Sequence, residues 1–133
     1  MNITFVNPES MSPPHGFSHA VKTIAQTTLY IAGQVGSGKD GVIQHRGDLV
    51  GQFELTLQNI KTLVEEAGGK VEHIVKMNLY TKDVRQYVSK LRDLGGVYRK
   101  YFGKHFPAMT LAGVTDLYNE GALIEIEAVA VLD

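Results

Sequence analysis

Hydrophobic and polar residues follow two different periods along this chain, and each period predicts one kind of element. Between Asp48 and Ala67, apolar side chains recur at steps of three and four residues, which predicts an amphipathic helix. Asp48 is a suitable N-cap, and Gly68-Gly69 is a suitable stop signal. A second helix is predicted to begin at Asp83. Its apolar face carries Tyr87, Leu91, Leu94, Tyr98 and Tyr101.

A glycine pair, Gly95-Gly96, lies inside the second predicted helix. Each glycine costs a helix interior up to ~1 kcal/mol relative to alanine. Close approach of a partner or ligand would explain the pair, and a kink or a break in the helix is the alternative.

Alternation of apolar and polar residues predicts strands elsewhere. The predicted strands span 3–6, 17–24, 28–34, 75–80, 108–114 and 122–132. The proline-rich stretch 7–16 and the glycine-rich stretch 35–47 are predicted to be loops. The order β-β-β-α-β-α-β-β, with helices that are apolar on one face only, suits an α+β layer with both helices on one side of a single sheet. The other face of the sheet then needs cover, which predicts an oligomer.

The last predicted strand has two faces of different chemistry. Ile124, Ile126, Ala128 and Ala130 point one way and form a surface on which a helix can pack. Glu125 and Glu127 point the other way, together with Leu123, Val129 and Val131. Because a lone buried carboxylate is very costly, the glutamates are expected to line a polar cleft or an intersubunit surface. An exposed strand face is the alternative, although the valines on that face favour burial.

Charge and composition exclude several classes of protein. The net charge is −1 without a clustered basic stripe, which disfavours a nucleic-acid partner. The chain has no cysteine, which removes disulfides, thiolate nucleophiles and Cys-ligated metals, and fits a cytoplasmic location. The N-terminus lacks the features of a signal peptide, and no apolar run approaches the ~20 residues of a membrane span. We therefore expect one domain over residues 1–133, without a membrane partner.

A P-loop-like motif and the five histidines give only weak indications of nucleotide or metal binding. Residues 33–40 match G-x-x-x-x-G-K after a strand, but Asp40 replaces the magnesium-binding hydroxyl and no helix follows. A glycine-rich hairpin turn is the better interpretation. The histidines are scattered without metal-ligand spacing, so no metal site is predicted. Among them, His19 is the strongest candidate for the site, because it is predicted to lie on a strand beside the expected cleft.

A carboxylate is the remaining candidate for catalysis. No G-x-S-x-G motif is present, so the nucleophile elbow of serine hydrolases is absent. A glutamate in a partly apolar cleft can exchange protons near neutrality, which permits water-assisted chemistry without a metal.

Short motifs in a specific order resemble one known family. They are Phe17-Ser18-His19-Ala20-Val21, Leu29-Tyr30-Ile31-Ala32-Gly33-Gln34, Gln52, Asn59, Glu66-Ala67-Gly68, Ile74-Val75-Lys76-Met77, Tyr98-Arg99-Lys100-Tyr101-Phe102, Phe106-Pro107-Ala108 and Ile124-Glu125-Ile126-Glu127-Ala128-Val129-Ala130. In this order they resemble the RidA/YjgF family, also called endoribonuclease L-PSP or reactive intermediate deaminase. The resemblance implies a chorismate-mutase-like α+β fold with a six-stranded mixed sheet, two helices on one face, and a homotrimer around a central barrel. It also implies small-molecule clefts between subunits and cofactor-independent hydrolysis of enamines and imines such as 2-aminoacrylate.

The resemblance also assigns roles to individual residues. Glu125 matches the glutamate that places or protonates the attacking water, and is the predicted catalytic residue. Met109 stands where active members carry the arginine that binds the substrate carboxylate. Phe17 replaces a common tyrosine, Ala32 a usual serine, and Gly95 falls near a frequent asparagine. The predicted substrate-binding residues are Phe17, His19, Ala32, Gly33, Gln34, Met109 and Thr110, with Gln34 or Thr110 orienting the water.

Loss of the arginine predicts altered substrate selection. A charge-assisted hydrogen bond is worth ~1.5–3 kcal/mol and a bidentate pair somewhat more, so a small imino acid should bind on the order of 100-fold more weakly. We therefore expect poor activity on 2-aminoacrylate. One hypothesis is a hydrolase for a less anionic or larger substrate, and the other is a trimeric binding or regulatory protein without turnover. A ribonuclease is disfavoured by the charge.

Overall fold

The computed structural model describes all 133 residues and has six strands and three helices. The strands are β1 (Asn2–Val6), β2 (Ala20–Ile24), β3 (Thr27–Gln34), β4 (Ile74–Thr81), β5 (Ala108–Gly113) and β6 (Ile124–Leu132). The helices are α1 (Leu49–Glu66), α2 (Val84–Ser89) and α3 (Leu91–Phe102), and a short 3-10 turn spans Val71–His73. No helix combines the length and the hydropathy that crossing a membrane would require.

Helix α1 forms where the sequence predicts it, and with the predicted ends. The Asp48 carboxylate accepts a hydrogen bond from the Gly51 N–H at 3.0 Å, which satisfies one of the free donors of the first turn. At the other end, Gly68 adopts φ +92° and Gly69 donates its N–H to the Val64 carbonyl at 2.8 Å. The apolar stripe of α1 packs fully into the core. Its most deeply buried members are Phe53, Leu57, Ile60 and Val64.

The six strands form two sheets instead of the single sheet that the pattern predicted. The larger one is mixed and has the order β3-β6-β4-β5, with β4 and β5 parallel and the other neighbours antiparallel. Strands β1 and β2 form a separate antiparallel pair. The buried face of β6 is the predicted one, because Ile124, Ile126, Ala128 and Ala130 are at most 4% exposed. The α+β class and the six strands are confirmed.

The prediction of a strand over 17–24 is wrong for its first three residues. Only Ala20–Ile24 pair with β1, whereas Ser18 bonds to the start of β5. The Ser18 N–H donates to the Pro107 carbonyl at 3.0 Å, and its hydroxyl donates to the Phe106 carbonyl at 2.6 Å. These long-range bonds fasten the preceding loop to the edge of the larger sheet, and a local pattern cannot reveal them.

The second predicted helix is two helices, and the break is not at the glycine pair. Helix α2 ends at Ser89, and Lys90, with φ −111° and ψ 13°, is followed at once by α3. Gly95 and Gly96 lie within helix α3, which is continuous through both residues, so the predicted alternative of a break at the pair is wrong. The turn at Lys90 lets α2 set the Tyr87 ring edge-on to Phe53 while α3 buries Leu94.

The glycine-rich stretch after β3 is a hairpin turn, as predicted. Ser37 and Ile43 form an antiparallel bridge, and Gly41, at φ +75°, donates its N–H to the Gly38 carbonyl at 3.0 Å. No helix begins there, so the P-loop-like motif has none of the helical N–H groups that cradle a phosphate.

Candidate functional site

A cavity of about 620 Å³ opens between β5, the helices α2 and α3, and the loop before β2. This volume lies within the range of about 300–1,000 Å³ that is typical of small-molecule sites. Ten of its fifteen lining residues are hydrophobic, so a ligand there would lose most of its contact with water along an apolar surface. Phe53, Leu79 and Leu94 are the most buried members of the wall.

Three of the predicted site residues line this cavity, namely Phe17, Met109 and Thr110. Strand β5 carries Met109 at a position directly paired with Met77 of β4, which is 1% exposed in the core. Paired residues share a face of the sheet, so Met109 lies on the helix side, where it packs against the core. Phe17 reaches the cavity because Ser18 holds its segment to the start of β5.

His19 lies beside the cavity but is not part of its lining. Its ring stands edge-on to Phe17 at 5.2 Å between centroids, and its Nε2 lies 2.7 Å from the Ser12 carbonyl oxygen. Its backbone N–H donates to the Asn7 side chain at 2.7 Å. These contacts order the proline-rich loop and support the Phe17 ring.

The remaining predicted residues lie on the opposite face of the sheet or at its edge. Glu125 is paired with Tyr80, and its carboxylate lies directly against Gly33, where a Cβ would collide with it. Ala32 lines a second, shallower depression on this outer face together with Tyr30, Lys76, Asn78 and Glu127. Gln34 donates its side-chain N–H to the Ala32 carbonyl at 3.1 Å.

One chain therefore does not bring Glu125 and Met109 together. Met77 and Tyr80 lie on opposite faces of β4. Met109 is paired with Met77 and Glu125 with Tyr80, so Met109 and Glu125 also lie on opposite faces of the sheet. Neither of the two depressions includes Glu125 in its lining. Within one chain, the predicted site is therefore split into two halves on opposite faces of the sheet.

The second outer-face glutamate, Glu127, is already engaged within the chain. Its Oε1 accepts hydrogen bonds from the Tyr80 hydroxyl at 2.6 Å and from the Asn78 amide at 3.0 Å. These bonds favour the charged form and lower the pKa of Glu127, and the carboxylate in turn raises the pKa of the Tyr80 hydroxyl. Glu127 is thus a structural anion, whereas no hydrogen bond within the chain engages the Glu125 carboxylate.

The Tyr80–Glu127 bond makes a pH-dependent contribution to stability. Because folding lowers the pKa of Glu127, the contribution is complete above the usual value of 4.5 and is lost as the pH falls through the lowered pKa. Tyr80→Phe should lower the free energy of unfolding at pH 7 by about 0.5–1 kcal/mol, since both groups are partly exposed. In urea unfolding followed by circular dichroism, the difference should shrink below pH 4. Tyr30→Phe, at an exposed ring on the same face, should show no such trend, and a pH-independent difference for Tyr80→Phe would contradict the assignment.

Arg99 is a lining residue of the cavity that no sequence motif marked as part of the site. Arg99 and Gly95 both line the cavity, four residues apart on α3. In a helix, a long side chain lies over the residue four positions earlier. A glycine followed four residues later by an arginine was therefore the sequence pattern that could have indicated Arg99 as a site residue. Tyr87 also lines the cavity, and burial raises the pKa of its hydroxyl.

Comparison with known proteins agrees with this architecture. Residues 8–132 match the family model described as Endoribonuclease L-PSP. A RutC family protein of Pyrococcus horikoshii is 37% identical over 124 residues, covering 92% of each chain. A protein of Dermatophagoides farinae named 2-iminobutanoate/2-iminopropanoate deaminase is 26% identical over 126 residues, covering 95% of this chain and 93% of that one.

Solved structures agree as well. The crystal structure of YyfB from Yersinia pestis, a Rid family protein of unknown function, superposes with a TM-score of 0.89 at 35% identity, covering 99% of this chain and 100% of that one. The RidA structure from an Antarctic Psychrobacter has a TM-score of 0.68 at 28% identity, covering 91% and 92%. The sequence match, which spans nearly the whole chain, and the shared fold lead to one conclusion: the chain belongs to the RidA/YjgF family.

Proposed function

We propose that this chain is a cofactor-independent hydrolytic deaminase of an enamine- or imine-type small metabolite other than 2-aminoacrylate, working as a homotrimer. The observation that carries the proposal is a ligand-sized cavity, walled by Phe17, Met109 and Thr110, in a family that includes a named imine deaminase. The alternative is a trimer that binds a small molecule without turnover, and the replacement of arginine by Met109 favours it.

The proposed chemistry needs one base and one water. Water adds to the carbon of the C=N bond while the Glu125 carboxylate takes its proton and returns it to the nitrogen. Glu125 would then move the hydroxyl proton of the tetrahedral adduct to the nitrogen, so that the C–N bond breaks, the C=O bond forms and ammonia leaves. Gln34 or Thr110 would orient the water, while Phe17, His19, Ala32, Gly33 and Met109 would shape the cleft.

The two-faced arrangement of the chain supports a cleft between subunits. The cavity is on the helix side of the sheet and Glu125 is on the outer side, so a working site would take its cavity from one copy and its carboxylate from the next. In a cyclic trimer this arrangement repeats at each of the three seams. The partly exposed outer face of β6 would thereby receive the cover that its valines and glutamates require.

Mixing of subunits from two variants tests both imine hydrolysis and the sharing of the site between two copies of the chain. Glu125→Gln removes the base, and Gly95→Phe fills the cavity without touching the outer face. Each pure oligomer should release little keto acid from imines generated from aromatic and aliphatic amino acids. Oligomers co-refolded from equal amounts should regain about a quarter of the wild-type rate, the share of seams that pair two intact halves.

Two outcomes would count against the proposal. If the wild-type protein releases ammonia from no imine or enamine faster than buffer alone, the binding alternative stands. If wild type is active but the mixed oligomers show no recovery, the site is not shared between copies. Refolded wild type and each variant refolded alone are the controls for losses during mixing.

A further inference from the structure

Arg99 is an unpaired cation in the wall of the apolar cavity. Its guanidinium folds back along α3 toward Gly95, with Nη1 3.3 Å from the point that a Cβ on Gly95 would occupy. It forms no ion pair or side-chain hydrogen bond within the chain. The adjacent Lys100, by contrast, is bound to Glu54 at 2.7 Å. Arg99 is therefore free to take an external acceptor.

The only permanent charge in the lining of the cavity is positive. No aspartate or glutamate belongs to the lining, so Arg99 is its only permanently charged member. A guanidinium beside an apolar wall attracts an anion more strongly than one in open water, because the wall lowers the local dielectric. Its planar fork also matches the two oxygens of a carboxylate.

Gly95 provides the room for this arrangement. A side chain there would crowd the Arg99 guanidinium, whereas a Cβ on Gly96 would have nothing within 4 Å. Only the first glycine of the pair thus has a steric consequence. The absence of a side chain at position 95 lets the guanidinium lie along the helix at the cavity wall, although Arg99 as a whole is an exposed residue.

We propose that Arg99 is the carboxylate-binding residue of this protein and that its ligand is an acid with a bulky apolar body, such as an aromatic 2-imino or 2-oxo acid. The carboxylate would lie at Arg99, and the apolar body would fill the space between Leu79, Leu94 and Phe106. A three-carbon acid would leave most of a 620 Å³ cavity unfilled and would lose the apolar contacts. The assignment of such an acid as the substrate rests on the proposed function, but its binding does not.

Calorimetric titration of the intact protein tests this with stable probes. Wild type should bind 3-phenylpropanoate at least about 10-fold more tightly than the uncharged 3-phenylpropanamide, and more tightly than propanoate. Arg99→Gln should bring the acid and the amide to similar affinities, and Arg99→Lys should fall between. Arg92→Gln, at an exposed arginine on the same helix that does not line the cavity, should behave as wild type.

Equal binding of acid and amide by wild type, an unchanged acid preference in Arg99→Gln, or no binding of either probe would overturn the proposal. A failure of the Arg99 proposal can be distinguished from a failure of the proposed deaminase activity. Acid binding through Arg99 without imine hydrolysis would leave this inference standing and reject turnover. Imine hydrolysis at a rate that Arg99→Gln does not change would reject the role of Arg99 and leave the proposed deaminase activity standing.

Discussion

Replacement of Glu125 by glutamine is expected to lower imine turnover by about 100-fold or more, because a positioned general base contributes about 10²–10⁴-fold. Glutamine keeps the shape of the side chain and its place against Gly33 but cannot accept a proton from water. Binding of a non-reacting acid should therefore remain within a few-fold of wild type. Initial rates of keto-acid release and calorimetric affinities, measured on the same preparations, separate these two effects.

The chain offers a matched control for this substitution two residues away. Glu127 lies on the same face of β6, but hydrogen bonds from Tyr80 and Asn78 occupy its carboxylate. Glu127→Gln should leave the rate much closer to wild type, since a hydrogen-bonded carboxylate with a lowered pKa is a poor base. Equal losses in the two variants would indicate general damage to the outer face. Full activity in Glu125→Gln would remove Glu125 from the reaction.

Gln52→Leu is expected to lower the free energy of unfolding by about 2–6 kcal/mol, because two backbone groups lose this partner and each unsatisfied buried polar group costs about 1–3 kcal/mol. Gln52 is 0% exposed on α1. Its amide donates to the carbonyls of His45 at 3.2 Å and Gly121 at 3.0 Å, and accepts from the Leu123 N–H at 2.8 Å. Leucine fills a similar volume but leaves the Gly121 carbonyl and the Leu123 N–H without the Gln52 amide, whereas the His45 carbonyl keeps its bond from the Asp48 N–H at 2.9 Å.

Such a loss is large against the ~5–15 kcal/mol that stabilises a typical domain. Urea unfolding followed by circular dichroism, at one protein concentration for all variants, measures it. Gln58→Leu is the control on the same helix, because Gln58 is exposed and binds only the Tyr101 hydroxyl. If both variants unfold at the same urea concentration, the three bonds of Gln52 do not hold the loops before β6 and α1 as the structure indicates.

The hydrophobic period and the cap residues were enough to locate most elements. Helix α1 has a strong stripe, an aspartate that caps its first turn and a glycine pair that ends it, and all of these act through neighbours along the chain. The alternation in β6 likewise assigned its buried and outer faces correctly, because side chains alternate in any strand. By contrast, the break at Lys90 has no glycine or proline to announce it, and arises because α2 and α3 pack on different parts of the core.

The candidate site depended more on tertiary structure. Sequence motifs identified Glu125, Met109 and Phe17, but could not reveal that the pairing of β4 with both β5 and β6 puts Met109 and Glu125 on opposite faces. Nor did they reveal Arg99, whose importance depends on a cavity formed by residues distant in sequence. The sequence by itself determined the α+β class, the limits of α1 and the identities of the candidate site residues, since these follow from local periodicity, short motifs and chemistry. Only the tertiary structure decided which of these side chains share a face and a cavity, because strand pairing and helix packing join residues that no local pattern connects.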